Sequence, residues 1–343
     1  MGRDESRCAL RYATGIALSV AIAYGVAWPM AWLATILTAA FLGNRAPRPN
    51  AKASLAILVA IALIFGVGLF MTMHFYHYPL VFAVLVGLAL YLNFYLAARG
   101  GSKLIVLLCT MAILLIPLVG GSEPRLALMV STGFLTSAAV ALLCTQVAHT
   151  LVPGGTVPPA RAVEVADHPA RSAWLSTAVI LPVALVCLAF NMTGAVLPLI
   201  QISALSQKPD FSMGAAGGKA LIAANLGGGL VAMLFYQLLQ ISPTYPFLVV
   251  GLAALALLFA QRLFSDRPTA PLYASAFSTV LILIGGGTGQ FGGDTDAGFY
   301  QRIVLIMLSV CYVVGALSLL QMPAVRDRWL TTGRWLSAKL AAS

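Results

Sequence analysis

The chain has 343 residues, 60% of them apolar and only 9% charged, with a formal net charge of +10. A soluble domain is about a quarter charged, so water cannot solvate this surface and lipid must cover most of it. The positive excess does not read as a nucleic-acid patch, because the basic residues fall singly or in pairs between apolar runs, where they act as topology signals.

Taken in chain order, six long apolar blocks run at 12–42, 53–98, 104–152, 172–207, 220–261 and 268–325. A single span needs roughly 20 residues, so each block predicts a helical hairpin. Proline and glycine clusters mark the turns inside the blocks. These are Trp28-Pro29, His74 to Pro79, Gly120 to Pro124, Asn191 to Gly194, Ser242 to Pro246 and Gly285 to Gly298. A transmembrane barrel would alternate over ~10-residue segments, whereas these runs are continuously apolar. The run from Tyr12 shows no obvious cleavage site and leads straight into further membrane sequence.

Charge sets the orientation. Of the 20 Lys and Arg residues, Arg125 and Arg302 fall in the hairpin turns and the other 18 in the joints between blocks or in the termini. The positive-inside rule therefore places both chain ends and all joints in the cytoplasm. The expected fold is all-α and polytopic, with about twelve transmembrane helices. The tail, 324–343, mixes Arg326, Arg328, Arg334 and Lys339 with Trp329 and Trp335. That pattern predicts an amphipathic helix on the anionic cytoplasmic leaflet.

The two halves resemble each other. Tyr78-Pro79 opens YPLVFAVLVGLALYLNF and Tyr245-Pro246 opens YPFLVVGLAALALLFAQ, each the fourth span of its half. Pro124-Arg125 and Gln301-Arg302 enter the sixth spans, which end at Val152-Pro153 and Met322-Pro323. An even number of spans makes the repeats parallel, with an axis along the membrane normal. The division is a first six-helix repeat at 1–152, a cytoplasmic linker at 153–170, a second repeat at 171–323 and the tail at 324–343. The first hairpin, Tyr12 to Leu42, has too few residues for two full crossings. Short helices at matching places in two halves point to a binding site; local thinning of the bilayer is the plainer alternative.

Few residues carry chemistry. Arg125 and Arg302 form a matched cationic pair suited to attracting a carboxylate; alternatively they snorkel or bridge acids of the outer face. Trp28, Asn191 and Asn225 are further candidates for substrate binding or translocation. Glu123, Asp294 and Asp296 are the outer-side carboxylates, and with His74 and His77 they are the candidates for proton coupling. The plain readings are solvated loop acids and an interfacial aromatic belt. Asn93, Asn225, Gln201, Gln237 and Gln240 either line a path or bond between helices, and Gly227 to Gly229 either unwinds a span or admits a close neighbour. No metal site is expected, since Cys8, Cys109, Cys144, Cys187 and Cys311 are widely spaced. Gly287-x-Gly289-x-x-Gly292 spells a dinucleotide fingerprint without the βαβ unit that gives it meaning. No Walker A, zinc-protease motif or catalytic carboxylate pair occurs, so neither an enzyme nor a cofactor is expected.

In these features the chain resembles the fusaric acid resistance and aromatic acid exporter superfamily, as a short member lacking cytoplasmic domains. The residues that carry the resemblance are Arg7 and Arg11 at the start of a six-span half, Trp28 and Trp32 in a short first hairpin, and an Arg-led sixth span ending in proline. The resemblance implies a bacterial inner-membrane efflux transporter for small aromatic or other organic acids. It implies proton coupling, a periplasmic membrane fusion protein as partner, and possible homo-oligomers. Two other readings fit the same sequence: a non-transporting scaffold or accessory subunit of an adaptor complex, and a major-facilitator-like carrier, whose basic signature loop is incomplete at Gly43 to Arg48.

Overall fold

The described residues form helices and short turns, with no strand among them. The computed structural model describes residues 3–28, 30–43, 48–121, 123–154, 168–192, 214–265 and 269–288. It also describes 199, 202, 304–305, 307–309, 311–316 and 319. Helices α1 (Arg3–Gly25), α2 (Ala31–Gly43), α3 (Ala51–Phe75), α4 (Pro79–Ala98), α5 (Lys103–Gly120) and α6 (Pro124–Leu151) come first. After the joint come α7 (Pro169–Ala189), α8 (Gly214–Ile241), α9 (Tyr245–Leu263) and α10 (Ala270–Thr288). A further apolar helical stretch lies within 304–319. The tail at 324–343 and most of the linker lie outside the described residues.

Seven of these helices are long and apolar enough to cross a bilayer, which makes this a multi-pass membrane protein. Their outward faces are stripes of aliphatic side chains one turn apart. Leu55, Val59, Leu63 and Val67 on α3, and Leu226, Leu230, Leu234 and Leu238 on α8, are exposed in this way. No polar surface competes for these faces, so hydrocarbon is the solvent they fit.

Helix ends follow local chemistry. Asn50 caps α3 by accepting from the Ala53 N–H at 2.7 Å. Proline occupies the first turn of α4, α6, α7 and α9, where its missing N–H costs nothing. Arg7 and Arg11 lie inside α1, one turn apart, so the helix begins well before the apolar run.

Both α1 and α7 end in the same Schellman motif. Ala27 (φ 52°) and Asn191 (φ 48°) take the left-handed conformation two residues after the helix. Trp28 N–H donates to Ala23 O and Ala27 N–H to Tyr24 O, at 3.1 and 3.0 Å; Met192 N–H donates to Cys187 O and Asn191 N–H to Leu188 O, at 2.9 and 3.3 Å. These bonds satisfy carbonyls that would otherwise be orphaned at the helix end.

Two close crossings also match. The ideal Cβ position on Gly68 of α3 lies 3.0 Å from the backbone oxygen of Ala112 on α5. Gly228 of α8 meets the backbone of Ala276 on α10 more tightly still. In each case the missing side chain lets two backbones approach, the usual device where helix packing in lipid relies on contact.

The packing does not follow chain order. α1 packs on α2, α6 and α9; α2 packs on α6 and α10; α8 and α9 pack on α10. A second group joins α3, α4, α5 and α7, with α4 lying along α7. The core of Phe82, Val86, Leu90, Ile180 and Ala184 fills the α4–α7 contact and takes in Leu199, Ile202 and Val313. Helix α6 packs on α3 and α5 and so joins the two groups. Across that joint Phe65 stacks on Phe134, with centroids 4.5 Å apart.

Candidate functional site

The long α6 sets the scale of the site. Its 28 residues span about 42 Å, more than the roughly 30 Å hydrocarbon core. At its C-terminal end the guanidinium of Arg11, 8% exposed, donates to Val152 O at 3.2 Å and to Gly154 O, while Arg7 packs against Gly154. Gly154 takes φ +97°, a conformation that costs other residues dearly. A cation here complements the helix dipole and fills terminal carbonyls. Beside it, Arg48 Nε donates to Gln146 Oε1 at 2.6 Å, and the Gln146 amide donates to Pro49 O and to Ser54 Oγ. Arg125 stands in the first turn of the same helix, at the opposite end.

Arg11→Ala is expected to destabilise the protein by about 1–3 kcal/mol, because it removes a buried charged donor that holds the part-buried end of α6 through Val152 O and Gly154 O. Arg11→Lys recovers only part of this, since one ammonium does not match the guanidinium fork. Thermal unfolding in detergent checks both.

The N-terminal end of α6 gathers Glu123 and Arg125 with residues of the α3–α4 turn. Glu123 is the N-cap residue of α6 and makes no side-chain cap bond; it and Arg125 are exposed. Gly121 packs against the Tyr76 ring in the α3–α4 turn. His74 is exposed, its Nδ1 3.0 Å from Phe70 O and its ring beside Phe70 at 4.3 Å; the His77 ring meets Tyr76 edge-on at 6.4 Å. These rings belong to an aromatic group with Phe75 and Phe82, the arrangement of an interfacial belt. Among the described residues no group of three metal-binding side chains exists.

The remaining candidates are dispersed. Trp28, 37% exposed, sits in the α1–α2 turn; Asn191 holds the left-handed position of the turn after α7. Asn225 is fully buried in α8, where its amide donates to Ser275 Oγ at 3.3 Å and its oxygen accepts from Thr279 Oγ1 at 2.6 Å, both on α10. The helix runs unbroken through Gly227 to Gly229. Asn93 of α4 makes a comparable link, donating to Val106 O at 2.9 Å and to Thr110 Oγ1 at 2.8 Å on α5. Gln237 and Gln240 are exposed. Arg302, Asp294, Asp296 and Gln201 lie outside the described residues.

The first hairpin is the structural anomaly. Helix α2 has 13 residues, about 20 Å, too short to cross the core, yet it is buried along most of its length. Met30 packs against Gly133, so the turn meets α6 nine residues inside its N-terminal end, about 13 Å along the axis. Ser137 Oγ donates to Met30 O at 3.3 Å, Trp32 lies against Gly285 of α10, and the Tyr245 hydroxyl donates to Ala21 O. The hairpin is therefore held by elements from both ends of the chain.

Residues 8–148 match the model of a family described as a protein of unknown function, DUF2955. The matched stretch runs from α1 to the last turn of α6, less than half of the chain. No curated protein and no solved structure matches the chain.

Sequence reasoning passed over Ser19 and Thr35, two buried hydroxyls in the first hairpin. The signal available was the spacing Gly15, Ser19, Ala23 in a run free of charge, a small-residue face that also carries a hydroxyl.

Proposed function

We propose that the protein is an inner-membrane efflux carrier for small organic acids, often aromatic. Two parallel six-helix repeats make about twelve spans, with both chain ends in the cytoplasm. The reading rests first on duplicated geometry. The Schellman turns at Ala27 and Asn191 lie 164 residues apart, and the tight crossings Gly68/Ala112 and Gly228/Ala276 follow at nearly the same offset. The cross-packing is reciprocal: the first helix of the first half lies on the fourth of the second, α1 on α9, and α7 lies on α4 in return. Parallel repeats of this kind are a common architecture of secondary carriers, with the path at the repeat interface. The location of Arg7, Arg11 and Arg48 at one end of α6 and of Arg125 at the other agrees with the positive-inside orientation.

In this reading Arg125 and Arg302 attract or release the anion at the outer face, and the outer carboxylates or histidines exchange protons. A periplasmic membrane fusion protein completes the export route. The test is growth of a deletion strain on aromatic acids, paired with flux into proteoliposomes under a proton gradient. A deletion strain sensitive to aromatic acids, with resistance restored by the wild-type chain and gradient-driven flux by the purified protein, is the expected result. Normal flux-free membranes with an intact adaptor complex would instead favour a scaffold role.

A further inference from the structure

Two hydroxyls of the first hairpin have no partner. Ser19 on α1 is 0% exposed and Thr35 on α2 is 3% exposed, and neither side-chain oxygen makes a hydrogen bond. Acceptors are at hand within their own helices. Thr38, Thr72, Thr110, Thr145 and Thr177 each donate to the carbonyl one turn back, at 2.7–2.8 Å, whereas Ser19 and Thr35 do not. An apolar side chain of the same shape would avoid this loss, so the buried hydroxyls call for an explanation.

The hairpin's register brings the two together. A Cβ on Gly15 would stand 3.5 Å from Cγ2 of Thr38, and Ala23 clusters with Ala31 and Ala34. Ser19 lies one turn from both Gly15 and Ala23, and so stands opposite Thr35 across the antiparallel seam. Small residues flank the pair, and Trp32, one turn before Thr35, rests on Gly285 of the second half. Between Tyr12 and Gly43 there is no Asp, Glu, Lys, Arg or His. A charged group entering this seam would find no counter-charge along the facing stretches of α1 and α2, whereas an uncharged head that both donates and accepts would satisfy both hydroxyls.

We propose that Ser19 and Thr35 form the binding site for the uncharged head of the carried molecule, the protonated form of a weak carboxylic acid, admitted when α1 and α2 part. This deepens the transport reading and rests on it. The outer arginines then act on the anion after it has released its proton.

The test uses full-length protein in nanodiscs, with empty nanodiscs as control, and two probes: benzoic acid, and benzenesulfonate, which stays ionised throughout. Between pH 7 and pH 5 the apparent affinity for benzoic acid is expected to rise about tenfold per unit, following the neutral fraction, with no binding of benzenesulfonate. Ser19→Ala and Thr35→Val are each expected to weaken binding about tenfold while the unfolding midpoint stays or rises. Thr35→Ser keeps the hydroxyl and the binding. If the two variants bind benzoic acid as wild type does, or benzenesulfonate binds equally well, the site is overturned and transport stands. If wild type neither binds nor carries benzoic acid, both fall together.

Discussion

Gly228→Leu is expected to cost the protein its fold, while Gly227→Leu, one residue earlier, leaves it intact. The backbone of Ala276 occupies the space a Cβ on Gly228 would need, and a backbone cannot rotate away as a flexible side chain can. Overpacking of this kind costs about 3 kcal/mol or more, enough to lower the midpoint by about 5–10 °C or to prevent assembly. Around Gly227 nothing lies within 4 Å of the added carbon, and the helix gains about 0.5–1 kcal/mol from losing a glycine. Gly68→Leu should behave like Gly228→Leu, because Ala112 O stands 3.0 Å from its Cβ position. The monodisperse fraction in mild detergent and the unfolding midpoint check all three. Equal tolerance at Gly227 and Gly228 would show that α8 and α10 do not cross there.

Phe134→Ala should produce the next largest loss. Phe134 is fully buried and stacks on Phe65, and the pair joins α6 to α3 between the two helix groups. Truncation leaves a void where two rings met, at about 3–5 kcal/mol, while Phe134→Leu costs less because it refills much of the volume. Phe65→Ala should cost nearly as much, and the double variant less than the sum, since each change empties the same contact. Unfolding midpoints of the four proteins provide the cycle; strict additivity would mean that the rings do not share a contact.

The helix limits were largely legible in the sequence, and the partners were not. Pro79, Pro124 and Pro246 mark helix starts because proline fits only the first turn, and the break at Trp28 follows from α1 ending in a left-handed residue. Arg7 and Arg11 stood out as a pair, yet their task at the end of α6 depends on Val152 and Gly154, more than 140 residues away. The Tyr245-Pro246 landmark was visible, but not that its hydroxyl reaches Ala21. Asn225 read as a span residue that either lines a path or bonds between helices; its bonds to Ser275 and Thr279 require the crossing at Gly228. Periodicity records which face of a helix is apolar and leaves open which neighbour covers it.

The interlaced packing has a consequence for biogenesis. Helix α1 leaves the ribosome well before α9, for Tyr245, the group that bonds its Ala21 carbonyl, is 224 residues further on. While that length is being made, the face of α1 destined for α9 is covered only by lipid or by the insertion machinery. Assembly must therefore finish after synthesis of α9, and a ribosome stalled in the central joint would hold a chain in which α1, α2 and α4 still wait for α9, α10 and α7.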